Sequence, residues 1–144
     1  MKKNLKIDID LPKGWVDRTI YTIMGPDAGG LQHMLIISVD DEYQGQNLTD
    51  YARERLDIVE SQLPSGELVK EEEIEIAEDR PAYLGVFRWN PGDKMLVRKM
   101  VYVLIDNVMY TFTADFTRQT HKTLGVEVDR MIAGFTPAAV SEEE

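Results

Sequence analysis

The sequence predicts an α/β (α+β) fold: a curved, mainly antiparallel sheet of six to seven strands with two helices. Three observations predict it. Strand-like apolar runs take up much of the chain, tight-turn signals join consecutive runs, and only two segments space their apolar residues as a helix does. With 144 residues, 43% of them hydrophobic and 29% charged, the chain suffices for one globular domain. We predict a single domain over residues 1–137 and an acidic disordered tail over residues 138–144.

The first third of the chain predicts three strands. Residues 5–11 (LKIDIDL) alternate and precede a turn at residues 12–14, and residues 15–24 (WVDRTIYTIM) form the second run. The glycine-rich loop at residues 25–30 is expected to end that strand. Residues 34–39 (MLIISV) are apolar at successive positions, which is typical of a central strand.

The first helix is predicted over residues 48–63. Asn47 precedes it as a capping residue, and Asp50 lies three positions further on, in the first turn. Its apolar residues recur at intervals of three and four positions: Leu48, Ala52, Leu56, Val59 and Leu63. Residues 68–76 follow as a strongly acidic run, which suits an edge strand because its charges discourage further pairing.

Two turn signals predict a three-stranded meander. If residues 106–107 form a two-residue loop, partner numbers sum to 213, and Arg98 faces Asp115. An opposite-charge pair at that position is an independent check on the register. A turn at residues 90–93 predicts a sum of 183 for the preceding hairpin, so that Tyr83 faces Met100 and Phe87 faces residue 96.

Both faces of this meander are apolar. One face carries Ala82, Leu84, Val86, Val97, Val101, Val103, Ile105, Tyr110 and Phe112. The other carries Tyr83, Phe87, Trp89, Leu96, Met100, Tyr102, Leu104 and Met109. The second helix is predicted over residues 120–133. A helix about 10 Å across covers only about two strands, so two helices leave part of the apolar sheet surface uncovered. Curvature of the sheet, a second copy of the chain or a ligand must cover the rest.

Composition and motifs argue against several classes of function. A net charge of −10 disfavours nucleic acid as a partner, and the absence of cysteine excludes disulfides, thiolate metal sites and cysteine nucleophiles. His33 and His121 lie in no metal-binding pattern, and Ser38 lacks a nucleophile elbow. We therefore expect a binding protein with no catalytic residue, metal or cofactor.

No run of apolar residues approaches the roughly 18 needed for a membrane span, and the first residues lack the apolar core of a signal peptide. We therefore predict a cytoplasmic protein without direct membrane insertion.

Several motifs occur in an order that points to a known family. Leu11-Pro12 precedes Trp15, Ile37-Ser38 precedes Asp40, and the first helix contains Asp50-Tyr51 with Leu56. That helix ends in Glu60, Gln62, Leu63 and Pro64. Over nearly its whole length the chain resembles the Eag-type chaperones of bacterial type VI secretion, which have a PsbP-like α/β fold.

The resemblance implies a dimeric cytoplasmic adaptor that shields the apolar N-terminal transmembrane helices of Rhs- or PAAR-containing effectors and helps to load them. The family's groove positions map onto Ile20, Ile36, Ser38 and Leu63. Strand and helix periodicity place three more residues on the same faces: Thr22, Met34 and Val59. At Arg55 and Lys99 the chain departs from the uncharged amides that the resemblance leads us to expect.

Two other functions stay open. A PsbP-like domain could bind a small apolar ligand or a soluble protein without any role in secretion. An enzyme would require a pocket with convergent titratable groups.

Overall fold

The computed structural model describes residues 9–77 and 79–137. It contains β1 (Ile20–Ala28), β2 (Leu31–Val39), α1 (Leu48–Gln62), β3 (Glu67–Glu75) and β4 (Pro81–Trp89). These are followed by β5 (Leu96–Ile105), β6 (Val108–Phe116), a single 3-10 turn (Thr120–Lys122) and α2 (Leu124–Ala133).

The six strands form one antiparallel sheet in the order β1-β2-β6-β5-β4-β3. The predicted fold class is confirmed. The acidic strand β3 lies at one edge, as predicted, and β2 is paired on both sides. The predicted tail at residues 138–144 lies outside the described residues.

The start of β1 was predicted wrongly. The strand begins at Ile20 rather than residue 15, because β2 ends at Val39 and the chain then turns, with the Tyr43 amide donating to the Asp40 carbonyl. Residues 15–19 therefore have no partner strand on that side. Of the strand predicted at residues 5–11, residues 9–11 are not in a strand and the rest lie outside the described residues.

β1 also continues beyond Gly25, where the sequence predicted a loop. A register shift between Met24 and Asp27 accommodates Pro26. Proline has no backbone N–H to donate, and an edge strand tolerates this because it pairs on one side only. Side chains of β2 donate hydrogen bonds to the backbone carbonyls at the register shift. Gln32 Nε2 donates to the Gly25 carbonyl at 2.6 Å, and His33 Nδ1 donates to the Pro26 carbonyl at 3.0 Å.

The β5–β6 register is confirmed. Asp106 and Asn107 both have positive φ, as a two-residue hairpin loop requires, and the bidentate Arg98–Asp115 pair forms as predicted. The β4–β5 register is wrong by two residues: Tyr83 faces Tyr102, and partner numbers sum to 185. The loop joining the strands has six residues, not four. Because the error is even, every side chain stays on its predicted face.

Each face of the sheet has its own core. On one face α2 covers a cluster that includes Leu35, Val103 and Phe112, and on the other α1 covers a cluster that includes Leu56, Phe87 and Tyr102. Asn47 caps α1 as predicted, since its side chain accepts from the Asp50 amide at 3.2 Å. In the part of the chain that the structure describes, neither helix has the length and apolar character to cross a membrane.

Candidate functional site

The two faces of the sheet are covered unequally. α1 packs mainly on β3, β4 and β5, and Met109 at the start of β6 is buried in the same cluster, so β1, β2 and the rest of β6 are left without a helix on the α1 side. The strand registers place the side chains of this uncovered region in rows. Ile20 faces Ser38, which faces Thr111, and Thr22 faces Ile36, which faces Thr113. Met24 faces Met34 in the next row.

We call this region the open floor and define it by its accessible members: Ile20, Thr22, Met24, Met34, Ile36, Ser38 and Thr113. Its apolar side chains remain in contact with solvent, most clearly along β1, where Ile20 is 60% and Met24 59% exposed. The residues of β2 that point to the opposite face are buried under α2, with Leu35 at 3%. One strand therefore presents a covered and an uncovered apolar side.

The open floor mixes apolar groups with hydroxyls. Thr22, Ser38 and Thr113 make no side-chain hydrogen bond to any other residue within the described chain. Thr111, at the border of the floor, is instead engaged by Asp40, to which it donates at 3.1 Å. The floor thus carries free hydrogen-bonding capacity but no charge.

One side of α1 borders the floor. Tyr51 packs edge-on against Tyr102, and the Arg55 guanidinium, one turn further along, lies 5.8 Å from the centre of the Tyr51 ring. The other side of the helix faces β3, where Thr49 donates to Glu73 at 2.6 Å. Arg55 is therefore a cation on the side of α1 that faces β6 and the floor.

Polar clusters mark both ends of the floor. Beside Met34, Asp115 accepts from Arg98 Nε and from Trp89 Nε1, each at 3.0 Å, and the Arg98 guanidinium lies 4.8 Å from the Trp89 ring centre. This carboxylate is fully engaged. The cluster therefore closes that end of the floor with no net charge.

At the other end, Asp40 lies beside Tyr51. Burial, and then the negative charge of Asp40, raise the pKa of the Tyr51 phenol. Burial and Asp40 likewise raise the pKa of Tyr102, while the charge of Arg55 acts in the opposite direction on both rings. Asp40 Oδ2 and the Tyr51 hydroxyl are both buried, and neither makes a hydrogen bond of acceptable geometry within the described residues. Asp40 is therefore a structural carboxylate, engaged through its other oxygen by Thr111.

The structure brings together five of the seven residues that the sequence predicted for partner binding: Ile20, Thr22, Met34, Ile36 and Ser38. Val59 and Leu63 lie on the same side of the sheet but pack half-buried against the α1 core. Sequence reasoning missed Met24 and Thr113. Their period-2 relation to Thr22 and Thr111 would have found them once the strands were aligned.

Lys99 does not belong to this surface. It lies on the α2 face, where its ammonium contacts Asp129 Oδ1 at 2.7 Å and its side chain is only 11% exposed. Strand alternation explains this: Arg98 and Met100 point to the α1 side, so Lys99 between them cannot. The charge of Arg55 therefore lies beside the floor, whereas the charge of Lys99 lies on the opposite face of the sheet.

The histidines have structural surroundings. His33 is 5% exposed, and in the neutral ring Nδ1 donates to the Pro26 carbonyl while Nε2 accepts from the Thr120 hydroxyl at 2.8 Å. These bonds tie the β1–β2 hairpin to the turn before α2. Burial, and then Lys99, lower the pKa of His121. Among the described residues, no three potential metal ligands cluster.

Cavities in the fold are small or shallow. One of about 130 Å³ lies between α2 and β3 and is lined by Ile74, Leu84 and Ile132, with the Lys99–Asp129 pair beside it. A wider depression of about 480 Å³ lies open near the start of α1 and is lined in part by Glu73. The first is well below the roughly 300–1,000 Å³ of small-molecule sites, and the second is shallow and partly acidic.

Comparison with known proteins gives a family and a fold. The sequence matches the model of the DcrB family over residues 7–133, and the chain belongs to that family. No curated protein matches it. Its fold is similar to the crystal structure of a protein of unknown function from Pseudomonas aeruginosa, with a TM-score of 0.75, 20% sequence identity and 92% of each chain covered.

Proposed function

We propose that this protein is a cytoplasmic chaperone or adaptor that shields the apolar N-terminal transmembrane helices of secreted effectors and aids their loading. Effectors of the Rhs and PAAR type, exported by type VI secretion, are the expected cargo. The observation that carries the proposal is the open floor, an uncharged apolar surface left uncovered beside α1. The resemblance in the motifs around Trp15, Ser38 and Tyr51 names the class of cargo.

The dimensions of the floor suit a helix. Along β2, residues 34–38 span about 14 Å at about 3.4 Å per residue, and the three strands β1, β2 and β6 are about 10 Å from first to last. A helix with its side chains is about 10 Å across. A single helix can therefore lie on the floor against α1.

The chemistry of the floor suits a helix made for a membrane. Transmembrane helices pack through close contacts of small residues and through hydroxyl hydrogen bonds, because apolar burial does not distinguish protein from lipid. Free hydroxyls at Thr22, Ser38 and Thr113 alternate with Ile20, Ile36 and Met34 and supply both kinds of contact. Before export, the apolar surface of such a helix is exposed to water. Binding to the floor removes part of that surface from water, which is favourable.

The alternative of a small apolar ligand has less support. The cavity of about 130 Å³ beside Ile132 is too small for most ligands, and its neighbours Lys99 and Asp129 form an ion pair. A soluble protein partner with an exposed apolar patch would use the same floor. The experiment below distinguishes such a partner from a transmembrane helix.

The test places charge on the floor. Ile36→Asp and Ser38→Asp put a carboxylate under the cargo, where burying it unpaired costs several kcal/mol. Val39→Asp is the matched control, because Val39 follows Ser38 on β2, points to the other face and is 47% exposed. Each variant is co-expressed with an effector N-terminal region bearing apolar helices, and co-purification and effector solubility are measured.

We expect both floor variants to stay folded and to lose the effector, while Val39→Asp retains it. Retention of the effector by a folded Ile36→Asp variant would contradict the proposal. Capture of a soluble domain without apolar helices, equally sensitive to Ser38→Asp, would instead favour the soluble-partner alternative.

A further inference from the structure

One half-buried cation beside the open floor has no partner. In the part of the chain that the structure describes, the half-buried lysine and arginine side chains are Arg55, Arg80, Arg98 and Lys99. Arg98 and Lys99 form ion pairs with aspartates, and Arg80 donates to a backbone carbonyl at 2.6 Å. Among the described residues, Arg55 forms no ion pair and donates no side-chain hydrogen bond.

The absence of an acceptor matters once the floor is covered. The Tyr51 ring, whose centre lies 5.8 Å from the Arg55 guanidinium, attracts the positive charge through its face. In the free protein, water satisfies the N–H donors of the guanidinium. A charged group that loses its water without gaining a hydrogen-bond acceptor is strongly disfavoured. A helix that lies on the floor against α1 removes water from Arg55, so the helix has to supply an acceptor.

The strand registers place Arg55 beside the middle of the floor. Tyr51, one turn before Arg55, packs on β5 at the row of facing residues that contains Ser38. Leu56, the residue after Arg55, packs on β4 at the row that contains Ile36. The Ile36 row is the middle one of the floor's three rows. Arg55 therefore lies beside the centre of a bound helix rather than beside one of its ends.

This position indicates the kind of acceptor. In the middle of a helix the backbone carbonyls are already bonded within the helix, and only those of the last turn are free. The acceptor that meets Arg55 is therefore a side chain. A carboxylate suits the guanidinium best, because it accepts two parallel N–H bonds in a charge-assisted pair.

We propose that Arg55 selects apolar helices that carry one aspartate or glutamate, whose carboxylate pairs with the guanidinium when the helix lies on the open floor. The inference rests on the proposed function and extends it by naming a residue that the cargo contains. Ionisable residues are rare in membrane-spanning helices and are normally paired there. A helix that carries one cannot bury it against an entirely apolar floor, and Arg55 removes that obstacle.

The surroundings leave Arg55 available for such a pair. Ile58, three residues further along the same side of α1, is apolar and 40% exposed. The α1 carboxylates Glu54 and Asp57 are exposed and form no ion pair with Arg55. Asp40 accepts instead from a threonine hydroxyl. A carboxylate on the bound helix thus meets a cation that no acidic side chain of the described residues already pairs with.

A cycle of protein variants and helix probes tests the pairing. The probes are apolar helices of about 20 leucine, alanine and glycine residues, each fused to the same soluble carrier protein. They differ only at the central position, which is leucine, glutamine, glutamate or lysine. Their dissociation constants are measured by titration against the full chain at one salt concentration. The ratio between the glutamate and glutamine probes, compared in two proteins, cancels the different hydration of the probes themselves.

We expect the glutamate-to-glutamine preference to be about tenfold or more larger in the unmodified protein than in Arg55→Gln. Arg55→Glu should reverse the preference and favour the lysine probe, which a merely structural role of Arg55 would not produce. Arg53→Gln is the matched control and should leave the ratio unchanged. Arg53 lies on the other side of the same helix, 3.8 Å from Glu71, and is 62% exposed. Circular dichroism checks that each variant is folded.

The unmodified protein provides a test that needs no variant. Its net charge of −10 attracts the lysine probe at long range, so tighter binding of the glutamate probe reports a local cation. Tighter binding of the lysine probe would overturn the inference, as would equal ratios in the unmodified protein and Arg55→Gln. A leucine probe that binds, and is lost in Ile36→Asp, leaves the proposed function standing in either case. Failure of every probe to bind defeats the proposed function and this inference with it.

Discussion

The α1 side of the sheet has a covered half and an open half built from the same kinds of residue. Over β3, β4 and β5, α1 buries Leu56 and Phe87 to 0% exposure. Over β2 and β1, Ile36 and Met34 are only half-buried, and Ile20 is 60% exposed. The covered half stabilises the fold, and the open half has apolar surface in excess of what folding requires.

Polar residues mark the boundary between the halves. The Asp115–Arg98–Trp89 cluster lies at one end and the Asp40–Thr111 contact at the other. Arg98 and Asp115 are partly exposed, but the hydrogen bonds in both clusters restrict the side chains that border the floor. A helix placed on it would meet a surface that is already formed.

The largest expected difference between the halves is in stability. Leu56→Ala should lower the free energy of unfolding by about 2–5 kcal/mol, because it leaves a cavity under α1. Ile36→Ala should cost only about 1 kcal/mol, since the side chain is already partly in water. Urea unfolding followed by circular dichroism measures both. Equal losses would mean that the open half is core.

A smaller loss is expected from Gly85→Ala. A Cβ at Gly85 would lie 2.6 Å from Leu56 Cδ2 and 2.8 Å from Cδ1, and Leu56 is too tightly enclosed to move away freely. Such overpacking costs about 1–3 kcal/mol. Combined with Leu56→Ala, the second loss should be less than additive because the clash is removed. Gly92→Ala, which meets nothing within 4 Å, is the control and should be neutral.

The Arg98–Asp115 pair at the boundary should contribute still less. Its side chains are 22% and 25% exposed, so solvent screens the attraction. We expect Arg98→Met to cost about 1 kcal/mol at low salt and less at 1 M salt, where the Debye length falls to about 3 Å. A loss that is large and independent of salt would show that the contribution comes from packing on Trp89 instead.

Much of the fold could be predicted because its determinants are local. The Asp106-Asn107 turn and the facing charges of Arg98 and Asp115 determine the β5–β6 register. The faces of β4 were correct although its register was not, because alternation depends only on parity. The loop after Trp89 also carries a turn signal, at residues 90–93, but the loop has six residues rather than four, so this signal placed the register two residues away.

The rest depended on partners that the sequence does not reveal. Residues 15–19 begin the run that the sequence predicted as a strand up to Met24, yet Val39 is the last residue of β2, and no strand of the described chain lies opposite them. The face of Lys99, by contrast, follows from alternation with Val97 and Val101, and only the resemblance led us to expect this residue in the groove. The open floor itself follows from where α1 crosses the sheet, which depends on the packing of Leu56 against Gly85.

The smallest expected effect concerns the unpaired hydroxyl of Tyr51 at the border of the floor. Burial and the charge of Asp40 raise the pKa of this phenol above its ordinary value near 10, so the unfolded chain loses the proton first. The stabilisation this implies is complete below about pH 10 and is lost as the pH rises further.

Tyr51→Phe should therefore be within about 1 kcal/mol of the unmodified protein at neutral pH and lose less stability in alkali. Unfolding by urea at pH 7 and above pH 10 checks this, with Tyr21→Phe as the control, because Tyr21 lies on the α2 side of β1 and is 62% exposed. An equal alkaline loss in the Tyr51→Phe and Tyr21→Phe variants would show that burial and Asp40 do not raise the pKa of Tyr51.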